Sequence, residues 1–345
     1  MEILVLLAST VSTATASHNR FRDWQPQWSD KFSGILRNNC SAEYAAYLAD
    51  DLRELDSRTC ARTVSCLLSN TDERTKAVLS SAAVMLGLIP VILALVGPSI
   101  AECALLAARK PLLAFLLSLG SPSKNPTRVI EYRGPVEEII KERHGKLKFH
   151  NNMSRGMNAF VAIIEIVLAA GSVWNVLYLC WKVGKTTVFN PWCEQSWGPL
   201  VWVMVAAVIY LLGTGTFFSV LRRHWISEKK ATGIQQVIWK SLKNELSPCR
   251  AQAQLHVGWK PESYIFVFLG WATTMLTILH IMFGTFWFSS LLFVSAADAL
   301  GITGRFMVSA VICRLVLKYE LAGMRETTEL KGKVLTVILR SYVMM

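Results

Sequence analysis

Between Ser263 and Ala297 the chain runs for 35 residues without a charged side chain. As one helix that stretch would reach about 52 Å, far more than a hydrocarbon core of about 30 Å requires. It reads as two crossings, with the break expected at Gly284 and spans at 264–283 and 289–313. The second of these has to carry Asp298 and Arg305. Three earlier runs have the length of a span: 77–97, 158–181 and 198–221. The second run holds Glu165 and Asn175, whereas the third holds no charge. Ala83 and Gly87 suit close helix contact in the first span, and Pro90 predicts a kink in it.

These runs predict an all-α, polytopic helical membrane bundle of five spans, with a membrane domain over 77–317 and a tail over 318–345. Composition agrees, since 17% of the residues are charged against about 25% in ordinary soluble domains. The stretch IAECALLAARKPLLAFLLSLG is apolar but interrupted by Glu102, Arg109, Lys110 and Pro111. Its remaining uncharged run is too short to cross, so interfacial or re-entrant helices are expected there.

Ahead of the first span the chain is polar. Ile3 to Ala8 followed by Ala14-Thr15-Ala16 has the layout of a signal peptide over 1–16, although Glu2 stands where a positive charge belongs. Residues 17–76 then carry nine basic and nine acidic side chains, as a small helical ectodomain would. Ser41 predicts the cap of a helix running to Asp56, and a second helix is expected over Arg58–Ser69. Asn70 with Glu73 resembles a capping box opening the first span.

So thin a domain needs staples, and Cys40, Cys60 and Cys66 are present. On one helix Cys60 and Cys66 lie about 240° apart, poorly placed to bond each other. With Cys193, four cysteines allow three connectivities. The two that avoid a Cys60–Cys66 bond both tie Cys193 to the ectodomain. One local bridge with a free Cys193 is the alternative. Asn39-Cys40-Ser41 and Asn152-Met153-Ser154 are glycosylation sequons by pattern.

Orientation follows from the flanks. Blocks 98–157, 222–262 and 314–345 hold 10, 8 and 6 Lys/Arg against 5, 3 and 3 acids. The positive-inside rule assigns them to the cytosol, with the ectodomain outside, so that Asn39 alone is open to glycosylation. The net charge of +12 is then explained by anionic inner-leaflet lipid, and no nucleic acid is needed.

The stretches LGLIPVILALVGPSIAECALLAARKPLLAFLLSLGSPSKNP and FGTFWFSSLLFVSAADALGITGRFMVSAVICRLVLKYELAGMR, with the Cys-bearing segment before the first span, resemble an uncharacterised group of multi-pass membrane proteins of filamentous fungi. That resemblance implies a membrane location and topology. It implies no activity.

Motifs for chemistry are missing. There is no H-E-x-x-H and no C-x-x-C, and Leu179 stands where a P-loop ending in Gly184-Lys185-Thr186 requires glycine. An enzyme is not expected, nor a metal or cofactor. What remains is polar residues within the spans: Glu165, His280, Asp298 and Arg305. Facing lipid, each would be costly. They serve either as register-fixing buried pairs or as an ion or proton pathway, and Glu165 is the expected partner of Arg305. Two function classes follow: a non-catalytic partner-binding or scaffold protein, favoured by the lack of an internal repeat, and a small transporter or channel.

Overall fold

The computed structural model describes residues 20–49, 58–126, 154–193, 195–225, 244–252, 255–259, 263–326 and 328–330. Among these, five helical segments are long and apolar enough to cross a membrane: Glu73–Val96, Gly156–Thr186, Gly198–Val220, Tyr264–Ser289 and Ala296–Met324. Every one turns large apolar side chains outward, for example Leu95, Val167, Leu211, Phe268 and Leu315. Contiguous exposure of this kind is unstable against water and suited to acyl chains. The all-α, multi-pass reading therefore holds. The expected signal segment, Asn152 and the basic loop residues of 127–153 and 226–243 lie outside the described residues.

The chain divides into two compact units. The first comprises residues 1–89, 178–201 and 284–304; the second comprises 90–177, 202–283 and 305–345.

In the first unit, α1 (Ser29–Asn38), α2 (Ser41–Ala49) and α3 (Arg58–Ser69) precede α4 (Glu73–Gly87). Their core is aromatic: Phe32 packs against Trp24 and Phe293, and Phe21 meets Tyr47 edge to face. Disulfides join Cys40 to Cys66 and Cys60 to Cys193, one of the two connectivities that the helical offset leaves. The cap of α4 differs from expectation, because Asp72 takes that place and accepts from the Thr75 amide at 3.1 Å. An aspartate reaches the N3 amide directly, whereas Asn70 turns back to the Cys66 carbonyl at 2.9 Å. The Asp72 carboxyl is held well below its usual range, first by Lys31 and then by Thr75. Asn39 is exposed, and its amide donates to Asn70 Oδ1 at 3.2 Å.

Helix α5 (Ile89–Val96) resumes after Leu88, one residue before Pro90, where proline removes a backbone donor. Gly87 lies so close to Ser289 that an added Cβ would stand 2.9 Å from that residue's Cβ. The long α8 (Arg155–Thr186), α9 (Gly198–Val220), α10 (Tyr264–Ser289) and α11 (Ala296–Glu326) contribute residues to both units. Two boundaries depart from the sequence reading. Gly284 does not break its helix; α10 continues to Ser289 and the break falls at 290–295, where Leu291–Leu292 pairs antiparallel with Val188–Phe189 and Phe293 adopts φ +66°. A glycine inside a helix costs only about 1 kcal/mol, too little to end one that packing supports. Helix α11 likewise runs past 313 into the expected tail.

In the second unit, α6 (Ile100–Ala107) and α7 (Pro111–Gly120) fill the interior. All eight residues of α6 are buried, and α7 buries Leu113, Ala114 and Leu117, so both helices pack into the protein. Gly120 is wedged against Cys313 and Ser172: an added Cβ would stand 2.6 Å from Cys313 Sγ and 3.0 Å from Ser172 Cβ. Those residues lie midway along α11 and α8. The chain thus ends α7 at mid-bundle depth and continues through 121–125 without regular structure, a course tolerated inside a membrane only where protein or water surrounds it.

Candidate functional site

The interior of the second unit is where ionisable side chains collect. The turn after α6 exists because Pro111 cannot continue a helix but can begin one. It carries Arg109 and Lys110 into the core, 2% and 0% exposed. Lys110 Nζ donates to Glu165 Oε2 and to Glu320 Oε1, each at 3.0 Å. The second oxygen of Glu320 accepts from the Cys249 amide at 2.9 Å. Glu165 Oε1 is buried and has no donor, and the Glu320 carboxyl is within hydrogen-bonding reach of Glu165. Burial alone would lower the Lys110 pKa, yet Glu320 and Glu165 outweigh that and hold it above the ordinary lysine value. Glu245 caps α7 from a remote segment, accepting from the amides of Leu112 at 2.7 Å and Leu113 at 3.3 Å.

A second cluster surrounds Glu102, the last member of a capping box with Ser99 at the start of α6. Arg314 and Lys318, one turn apart on α11, bind its two oxygens at 2.6 and 2.8 Å. Burial would raise the Glu102 pKa, but the bonds from Lys318 and Ser99 prevail and hold the carboxyl below its usual range.

The four intramembrane residues picked out by sequence do not form one site. Glu165 belongs to the Lys110 cluster. Arg305 does not meet Glu165; its Nη2 donates to Asn175 Oδ1 at 2.6 Å, and the Asn175 amide returns bonds to Arg305 O and Ser309 Oγ. Helices α8 and α11 run antiparallel, so the ten residues from Glu165 to Asn175 put about 15 Å between these contacts. Asp298 lies in the first turn of α11, bonded to Ser295 Oγ as part of its cap. His280 Nε2 donates to Trp202 O at 2.8 Å while Trp202 Nε1 donates to His280 O at 3.3 Å, a reciprocal clamp between α9 and α10.

Sequence reasoning passed over Lys110, Glu320 and Lys124, placing the first and third in a basic loop and the second in the tail. The signal was there: Glu102, Arg109 and Lys110 break an apolar run, and charges inside such a run need partners. Among the described residues no group of His, Cys, Asp and Glu is arranged to hold a metal. Set against protein-family models, curated proteins and solved structures, the chain matches none of them.

Proposed function

We propose that this chain is a multi-pass transporter that moves small ions across its membrane and carries a proton at Glu165 and Glu320. One observation carries this reading: a single buried ammonium, Lys110, lies between two buried carboxyls that are within reach of each other. Arg109 and Glu245 lie within electrostatic range of Glu320 as well, so three buried carboxyls face two cations and the cluster retains a proton. A site with one exchangeable proton inside a bundle is the element that proton-linked transport requires. The helices α6 and α7, ending within the bundle, are of the discontinuous kind that builds transport sites.

The same proposal places the N-terminal domain outside and the basic segments at 127–157 and 222–262 on the cytosolic face, against anionic lipid. Its support is the Lys/Arg excess of those segments. Four cysteines paired in the first unit suit an oxidising compartment, and with it a plasma-membrane location and a glycan on Asn39. No enzyme activity or cofactor enters this reading.

The test uses the full chain in liposomes holding a pH-sensitive dye. Jumps of chloride, nitrate or acetate are expected to move protons in wild-type vesicles and not in Glu165→Gln vesicles. Wild-type vesicles that match protein-free ones for every anion and both gradient directions would remove the proposal. The two disulfides favour a second reading, a scaffold whose rigid N-terminal domain binds protein partners. Cross-linking in native membranes followed by partner identification, repeated on a Cys60→Ser chain, tests it.

A further inference from the structure

Lys124 is hydrogen-bonded to neither charge cluster. It is 2% exposed, and its ammonium has no hydrogen-bond partner. In the same short stretch the hydroxyls of Ser118, Ser121 and Ser123 are also buried and unpaired. These groups follow or end α7, where Gly120 is wedged between the middles of α8 and α11. A run of unpaired buried polar groups is rare in native interiors and calls for something to meet them.

The charges around Lys124 say what that is. Cys103, Cys313, Glu102 and Arg314 lie within its electrostatic range, and Lys124 in turn acts on His280. The sole carboxylate among these, Glu102, is already bound through both oxygens by Arg314 and Lys318. Cys103 supplies no negative charge, because burial pushes its thiol up to about 12. Burial holds the Lys124 pKa below the ordinary lysine value, as expected of an ammonium with no counter-charge of its own. Water would satisfy the serines but would not neutralise a cation, which in a low-dielectric interior needs an anion or must lose its proton.

We propose that Lys124, with hydroxyls from Ser118, Ser121 and Ser123, forms a binding site for a small anion of single charge, such as chloride, nitrate or acetate. A single charge is specified because the neighbouring cations, Arg314 and Lys318, are both engaged by Glu102. This deepens the transport reading and rests on it for its biological sense: the anion is the substrate, and the proton at Glu165 and Glu320 travels with it.

The experiment measures binding, not transport. Thermal unfolding of the full chain in lipid nanodiscs is followed while sodium chloride, nitrate or acetate replaces sodium gluconate at constant ionic strength. A ligand that binds the folded state raises the midpoint saturably. The wild-type chain is expected to show this with at least one of the three small anions. The concentration giving half the effect should rise about tenfold or more in Lys124→Met and stay within a few-fold in Lys124→Arg. Should Lys124→Met fail to fold, Ser121→Ala and Ser123→Ala serve instead, each weakening binding without changing charge. No saturable stabilisation of wild type by any of the three anions, or equal stabilisation of wild type and Lys124→Met, overturns the site. Binding that depends on Lys124 in a protein that moves no protons would leave the site standing and remove the transport reading.

Discussion

The two units of this protein solve the same problem by opposite means. In the first unit the devices are covalent, aromatic and neutral-acceptor contacts, several between segments far apart in sequence. Two disulfides, an aromatic core of Trp24, Phe32 and Phe293, and the Arg20 guanidinium on the carbonyls of Gly184 and Thr187 hold it together. The second unit instead buries Lys110, Glu165, Glu320, Glu102 and Lys124. Burying charge contributes little to stability compared with well-packed apolar residues. Among the described residues the first unit buries one charge, Arg20, whereas the second buries acids and cations together; the second unit thus accepts a less economical core, and such cores mark candidate functional sites.

Four experiments break or sharpen that contrast, and the largest effect is expected at Lys110. Lys110→Met leaves the Glu165 and Glu320 carboxyls buried without the ammonium they share and should cost about 3–5 kcal/mol, read as a large fall in thermal stability in detergent. Hydrogen exchange should locate the loss in the second unit; equal loss of protection in both units would break the contrast.

Next comes the disulfide joining α3 to the segment after α8. Cys60→Ser should cost about 2–4 kcal/mol, with faster exchange in α1 to α3 and unchanged protection in α6 and α7. Non-reducing peptide mapping checks the pairing directly, since a Cys60–Cys193 peptide is expected and a free Cys193 thiol would contradict it.

A matched pair of glycines follows. A Cβ on Gly198 would stand 1.8 Å from the Trp287 ring, and one on Gly120 would stand 2.6 Å from Cys313 Sγ. Each Gly→Ala change should destabilise by about 1–3 kcal/mol. The Gly198→Ala loss should be the greater, because an indole has less room to yield than a thiol. Only Gly120→Ala should alter anion-dependent stabilisation.

The smallest effect concerns Asp72, whose carboxyl is depressed by Lys31 and Thr75. A depressed acid stabilises above its unfolded value of 3.8, and that contribution is lost as pH falls through the folded value. Acidification from pH 5 toward about 2 should therefore loosen the start of α4 in the wild type. In Asp72→Asn this pH dependence should be absent, as judged by exchange of the Thr75 amide.

Asn175 and Lys110 show where legibility ended. The five membrane-length helices were open to sequence reasoning because a bilayer imposes length, and length is counted along the chain. Residues Arg58–Ser69 were readable as a helix from their own sequence, and the angular offset of Cys60 and Cys66 by itself removed one disulfide connectivity. Partner choice was different. Whether Glu165 meets Arg305 or Lys110 depends on the vertical register of α8, α11 and the turn before α7. Register is set by packing against distant segments, including Gly120 against Cys313 and the Glu245 carboxylate on the start of α7. The end of α10 was another such case, because the turn at Phe293 is fixed by the aromatic residues that enclose it and not by the nearest glycine. Local sequence thus determined which segments are helical and apolar, since that is a one-dimensional balance of hydropathy and backbone bonding. Tertiary structure alone decided which buried charges are paired and which, like Lys124, are left for something else to meet, because electrostatic compensation is a matter of distances in space.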